Sequence, residues 1–280
     1  MSDIFNQVIN YIKTTGYNPY SDDKINKSDI FYIDTLNHHY SSLSKELEFV
    51  TSNHDVDSVL ELGSYLSVGA HIARGLDVPN VSASDMYKLS DDSSYKKWLS
   101  KKNIMYEHYD LTKEPTGDHS DKYDCIIFQE TLEHIPHNPV RTLINVNKML
   151  KTNGILIFSV PNFFSVRSII NILKTAHPYV KEEEFLDVGS TTEKSGVHWI
   201  EFNTKLIKRL VDFSNYETIT YHKNNINYGS KKNYILKNIF KTILPFVFDQ
   251  HRFILKKARP FSEYISSRKK VHAEHEAMNL

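Results

Sequence analysis

The chain has 280 residues, 40% hydrophobic and 24% charged, with 9 glycines and 9 prolines, which excludes collagen-like, low-complexity and disordered architectures. Thirty-four basic residues balance 34 acidic ones, so no bulk field draws in nucleic acid or anionic lipid. A single cysteine, Cys125, excludes an intramolecular disulfide and a thiolate zinc cluster and makes a reducing cytoplasm the expected compartment, while 14 histidines direct attention to imidazole chemistry.

The N-terminus lacks the basic and apolar regions of a secretory signal. Ile4, Phe5, Val8, Ile9 and Ile12 recur at helical spacing, and Leu43, Leu47 and Val50 do so again, so residues 1–54 read as a helical cover. From Asp57 short apolar runs alternate with amphipathic stretches, the texture of a parallel sheet flanked by helices, and residues 55–260 read as one such unit. Strands are predicted at Ser58–Leu62, Asn80–Ser84, Ile104–Tyr109, Tyr123–Phe128, Ile155–Val160, Tyr216–Tyr221 and Arg252–Lys256, with helices at Val68–Arg74, Val140–Leu150 and Thr204–Phe213. Asn153-Gly154 is expected to cap the second of these helices.

Residues 163–197 and 231–250 break the alternation and read as insertions, the first a lid on the acceptor side. The second carries Lys231, Lys232, Lys237 and Lys241 beside apolar residues; it is expected to pack in the core or at a homodimer contact, with peripheral membrane binding as the bolder reading. It is too interrupted to span a bilayer. Residues 261–280 form a polar tail.

The sharpest local feature is VLELGSYLSVGAHIAR, residues 59–74: a strand, Glu61 near its carboxyl end, Gly63, a tight loop and a helix. Ligands of open α/β sheets bind beyond the carboxyl ends of strands, where a helix N-terminus offers free N–H donors. Neither the Gly-x-Gly-x-x-Gly fingerprint nor a P-loop is present, which disfavours dinucleotide and ATP enzymes. Asp85 follows Gly63 by 22 residues at the end of VSASD, an offset suited to ribose hydroxyls. Taken singly, Asp85 and Asp110 could be turn formers. Cys125 reads as a small core hydrophobe.

The order ELG, Asp85, Asp110, YDCIIFQETLEHI and MLKTNGILIFSVPN resembles the class I S-adenosylmethionine-dependent methyltransferases over residues 57–221. The resemblance implies a Rossmann-like, seven-stranded, mostly parallel sheet with one reversed strand, and methyl transfer from S-adenosylmethionine. It also implies that Glu61, Gly63 and Ser64 lie at the methionine end of the cofactor and that Asp85 and Met86 lie at its ribose. Asp110 and Leu111 would flank the adenine and Gln129 would line the sulfonium. The family pattern has glycines where this chain has Tyr65 and Ser67, which predicts a stiffer loop. An Asn/Asp-Pro-Pro-Tyr element, a mark of nitrogen methylation in this family, is absent, which favours an oxygen acceptor.

If a helical turn begins after Phe128, then Glu130, Glu133 and His134 of QETLEHIPH share one face, and His198 of GVHWIEF could join them. This set resembles the metal-dependent O-methyltransferases, which implies a divalent cation such as Mg²⁺ on Glu130, Glu133, His134 and His198, with Glu133, His134 and His198 serving catalysis. Two other readings stay open: His134 as a metal-free base, and a structural turn in which Glu133 serves a helix dipole. The expected acceptor is a hydroxyl of a sugar, glycan or small molecule. The alternatives are the terminal ribose of an RNA, disfavoured by zero net charge, and a non-catalytic partner subunit of the same fold.

Overall fold

The computed structural model describes residues 3–175, 198–225, 244, 246–259 and 263–264. Seven strands, β1 (Ser58–Leu62), β2 (Asn80–Asp85), β3 (Ile104–His108), β4 (Tyr123–Gln129), β5 (Leu150–Pro161), β6 (Tyr216–Asn224) and β7 (Gln250–Lys257), form one sheet in the order β3-β2-β1-β4-β5-β7-β6. Strands β1 to β5 pair in parallel, and β7 runs antiparallel to both β5 and β6. All seven lie where the apolar runs predict them. The connections reverse direction between β1 and β4, which opens a crevice at the carboxyl ends of those two strands.

Eight helices flank the sheet: α1 (Asp3–Thr15), α2 (Lys27–Thr35), α3 (Asn37–Asn53), α4 (Val68–Gly75), α5 (Ser94–Ser100), α6 (Pro139–Met149), α7 (Val166–Thr175) and α8 (Thr204–Phe213) among the described residues. Because strand side chains alternate in direction, each buried strand serves two cores. Cys125 and Ile127 of β4 join one core with Ile12, Leu47 and Ile72, whereas Ile126 and Phe128 join the other with Leu143 and Ile207. The N-terminal helices thus cover the α4 face, and α6 and α8 cover the opposite face.

Three details differ from the sequence reading. Helices α2 and α5 were not expected, α2 because its apolar spacing is weak and α5 because it is short. Helix α6 ends at Met149 and β5 begins at once, so Asn153-Gly154 does not cap the helix. Instead Tyr123 pairs with Leu150 and Cys125 with Ile155, so residues 151–154 bulge out of β5, with Asn153 left-handed at φ 65° to make the bend. Of the expected lid, only residues 163–175 are described, and 176–197 lie outside the described residues. Most of the 231–250 stretch and of the tail also lies outside them. Among the described residues, no helix is long and apolar enough to cross a membrane.

One buried ion pair ties the cover to the sheet. Arg252, on β7, is fully buried, and its Nε and Nη2 donate to the two carboxylate oxygens of Glu46 on α3 at 2.8 and 2.5 Å. Burial opposes ionisation of Glu46, but Arg252 and then His222 outweigh it and hold the carboxyl below its ordinary range. Removing one partner strands the other charge in the interior, so Arg252→Met is expected to cost about 3–5 kcal/mol, read as a lower urea midpoint. A carboxyl held below its unfolded-state pKa contributes stability above that value and loses it as pH falls through the folded-state value. The margin of the wild type over Glu46→Gln is therefore expected to be full near neutrality and to vanish in acid. A margin independent of pH would show that Glu46 is not ionised in the fold.

Candidate active site

The loop after β1 is built on buried polar contacts. Both carboxylate oxygens of Glu61 accept from the backbone N–H groups of Gly69 and Ala70, at 3.0 and 2.9 Å, at the start of α4. Two donors that the sequence left free for a ligand are therefore taken by the chain itself. Burial pushes the Glu61 carboxyl up to about 7, with these two N–H groups pulling the other way. Gly63 has φ +65°, and a Cβ there would lie 2.5 Å from Thr131 Cγ2 and 2.6 Å from its Oγ1. The loop thus brings its backbone hard against the end of β4.

Tyr65 and Ser67 hold φ values of 39° and 51°. The chain keeps the backbone shape that glycines would adopt easily, and it holds the strained residues by side-chain bonds. The Tyr65 N–H donates to Asp85 Oδ2 at 3.3 Å, and its hydroxyl donates to Asp29 at 2.6 Å. Ser67 Oγ meets the Tyr95 hydroxyl at 2.5 Å, and Ser67 N–H donates to the Ser64 carbonyl at 2.6 Å. These bonds hold the turn at the two positions where the family pattern has glycines.

At the end of β2, Asp85 is 8% exposed, and its other oxygen accepts from the Met86 N–H at 2.7 Å. Burial pushes its carboxyl above the ordinary value, against the pull of the Met86 and Tyr65 N–H groups. The hydroxyls of Ser64 and Ser84 are buried nearby without a partner. Unsatisfied buried polar atoms beside a glycine cradle suit a polar ligand such as the cofactor of the resembled family. Asp110 makes a local turn, Oδ1 accepting from Thr112 N–H at 3.0 Å and Thr112 Oγ1 at 2.7 Å. Leu111 is buried beside it, and Met86 is half exposed. Gln129 Nε2 donates to Glu46 at 3.4 Å.

The turn after β4 is not the one expected. The strand runs on to Gln129, Glu130 takes φ 47° with its N–H on the Ser159 carbonyl, and a single 3₁₀ turn starts only at Leu132. The physical reason is that Glu130 is still paired to the neighbouring strand. It therefore does not share a helical face with Glu133 and His134. Its Oε1 accepts from Ser159 Oγ at 3.0 Å and Gln250 Nε2 at 2.6 Å.

Glu133, His134 and His198 do converge: one ligand atom from each lies within 4.8 Å of the others. The two imidazoles meet edge to face at 4.7 Å, and His134 Nε2 is 3.9 Å from Glu133 Oε1. Glu133 is 1% exposed, and its Oε2 is buried without a hydrogen-bond partner. Burial, then the Glu130 carboxyl, pushes Glu133 well above the usual carboxylate range. A buried carboxylate oxygen facing two imidazoles has the donor chemistry of a divalent cation site. The turn is pinned from below, since the Trp199 N–H donates to the Glu133 carbonyl at 2.7 Å.

Sequence reasoning missed Glu201, whose Oε1 lies 3.1 Å from His198 Nδ1 and whose Oε2 accepts from Ser168 at 3.3 Å. The signal was present: in GVHWIEF the acid follows the histidine by three residues. It also missed Gln250, which gives no local signal. For the loop, Gly63→Ala is expected to lower stability by about 1–2 kcal/mol from the left-handed backbone alone, plus the clash with Thr131. Thr131→Ala in the same chain should recover the clash part, and thermal melts of the three variants would show it.

Residues 32–219, well over half of the chain, match a family described as a methyltransferase domain. No curated protein matches. Among solved structures, the chain is similar to the CurJ carbon methyltransferase, at 15% identity and TM-score 0.52, covering 79% of this chain and 54% of that one. It is likewise similar to a Galdieria sulphuraria protein provisionally assigned as a sarcosine dimethylglycine methyltransferase, at 13% identity and TM-score 0.52, covering 79% and 85%. A SAM-dependent methyltransferase from Archaeoglobus fulgidus gives 13% identity and TM-score 0.49, covering 81% and 99%. At such identities the first two structures speak for the fold alone, and the family match carries the assignment: the chain belongs to the methyltransferase-domain family.

Proposed function

We propose that this chain methylates a hydroxyl oxygen of a sugar, glycan or small molecule, and that a divalent cation held by Glu133, His134 and His198 assists. The observation that carries the reading is the convergence of a buried carboxyl, Glu133, one of whose oxygens has no hydrogen-bond partner, with two imidazoles after β4. When bound, the cofactor supplies an electrophilic methyl group. Gly63 and Ser64 would receive its methionine end beside Glu61, Asp85 and Met86 its ribose, Asp110 and Leu111 its adenine, and Gln129 would line the sulfonium side.

An acceptor hydroxyl is a poor nucleophile until it loses its proton. A cation at the three-residue site would lower the pKa of such a hydroxyl, and two hydroxyls on neighbouring carbons would suit it as a pair of oxygen ligands. With the cation bound, His134 would be one of its ligands beside Glu133, and the proton of the acidified hydroxyl would pass to water rather than to that imidazole. Glu201 Oε1, 3.1 Å from His198 Nδ1, would orient that imidazole. Glu130 stands behind the group, bonded to Ser159 and Gln250, and is assigned to the outer layer of the site rather than to the three converging donors. The same Glu133–His134 pair also favours a second reading, in which His134 works as the base without metal.

Titrating Mg²⁺, Mn²⁺ or Ca²⁺ into the protein is expected to give a heat that Glu133→Ala abolishes while S-adenosylhomocysteine binding persists. A metal heat that survives Glu133→Ala would remove this residue from the site. Turnover that survives chelator and falls as pH drops through the imidazole range would replace the metal with the His134 base. Asp85→Ala is expected to weaken S-adenosylhomocysteine about ten-fold or more, the loss of a charge-assisted hydrogen bond. Unchanged affinity would take Asp85 out of the ribose role.

A further inference from the structure

The connection between α1 and α2 reaches further into the site than a cover needs to. Residues 16–25 fold as a small hairpin: Tyr17 bridges Lys24, and the Ile25 N–H donates to the Gly16 carbonyl at 3.1 Å. Its tip is fastened at two points. Asp22, itself at φ 59°, accepts from Ser93 Oγ, Ser94 N–H and Tyr95 N–H at 2.8–2.9 Å. Asn18 donates to Asp29 at 2.9 Å, and Asp29 in turn accepts from the Tyr65 hydroxyl. Between these anchors the tip projects Tyr20.

The Tyr20 ring stacks on Tyr65, centroids 5.2 Å apart at 23°, and leans on Tyr87 at 4.6 Å and 59°. Tyr65 belongs to the glycine loop and Tyr87 follows β2 by two residues, so the three rings bracket the ends of β1 and β2. The platform is held in place, since the Tyr106 hydroxyl donates to the Tyr87 carbonyl at 2.6 Å and Asp85 holds the Tyr65 N–H. Tyr65 links the ring to the acid, stacking on Tyr20 while its N–H donates to Asp85, and burial and then the Asp85 carboxylate push the Tyr20 phenol upward. Yet Tyr20 remains 47% exposed. A large ring held at two anchors, half exposed and above a buried acid, is poorly explained as core packing alone.

We propose that Tyr20, carried by the 16–25 hairpin, is a cofactor-binding residue that closes the nucleoside end of the site as one wall of a Tyr20–Tyr65–Tyr87 aromatic cluster above Asp85. The inference rests on the S-adenosylmethionine reading and adds to it an N-terminal contribution at residue 20, outside the 32–219 family match. An aromatic face suits a nucleoside, because stacking tolerates any orientation of the ring edge and shields the ribose side from water.

The test uses the full chain, S-adenosylhomocysteine calorimetry and amide hydrogen exchange. Tyr20→Ala is expected to weaken binding about ten-fold, the scale of one lost stacking face, while Tyr20→Phe keeps most of it. Binding is also expected to slow exchange across residues 16–25 together with Gly63–Ser67. Should Tyr20→Ala misplace the hairpin, the protection of residues 16–25 in the wild type still decides. Protection of Gly63–Ser67 without residues 16–25, or wild-type affinity in Tyr20→Ala, would overturn the Tyr20 assignment and leave the cofactor reading intact. No binding and no protection anywhere would overturn both.

Discussion

Arg252 is the constraint around which this molecule is arranged. It lies on β7, which runs antiparallel to both of its neighbours, β5 and β6, and it is fully buried. A buried guanidinium is tolerable only when paired and hydrogen-bonded. The partner comes from 206 residues away, Glu46 on α3, so the Arg252 charge is paired only when the N-terminal helices are docked on the sheet. From that pair the polar contacts run outward. Arg252 Nη1 donates to Gln250 Oε1, Gln250 Nε2 reaches Glu130 and approaches His39 Nδ1 at 2.9 Å, and Gln129 donates to Glu46. Cover, reversed strand and the end of β4 are therefore one hydrogen-bonded unit. Burial, then Arg252, holds His39 down to about 3, so that imidazole stays neutral within it.

The second constraint is the backbone of the glycine loop. Gly63 is forced by contact with Thr131, but the following turns are made by Tyr65 and Ser67, which adopt left-handed angles at a strain of order 1–3 kcal/mol each. Side-chain bonds to Asp29, Asp85 and Tyr95 hold them there. Where the resembled family has a small residue, this loop therefore carries an aromatic ring.

How much of this was legible in the sequence follows from range. The strands were, because a buried parallel strand is a short run of β-branched and aromatic residues that needs no partner to be recognised, as in YDCIIF. The carboxyl-end acids Glu61, Asp85 and Asp110 were found for the same reason, by their place at the ends of those runs. The turn at Glu130 was not, since a helical count from Phe128 cannot know that Ser159 on the next strand captures the Glu130 N–H. The role of Arg252 carried no local signal beyond its place at the start of a predicted strand, because its partner is on another element. The capping of α4 by Glu61 was hidden likewise: the residue was legible, its two hydrogen bonds were not.

The chemistry at the crevice turns on which atoms remain unmatched after the fold has satisfied the rest. Glu61 and Glu46 have both carboxylate oxygens engaged by donors, and Glu130 has its Oε1 held by Ser159 and Gln250. Glu133 differs, with one oxygen buried and unpartnered and two imidazoles beside it. Keeping a carboxylate in that state works against stability, since burial alone favours its neutral form. A positive charge arriving at the site, whether a cation or an imidazolium formed as the acceptor is deprotonated, relieves the penalty. In the proposed reaction the binding of positive charge and the removal of a proton would both act on this one buried carboxyl.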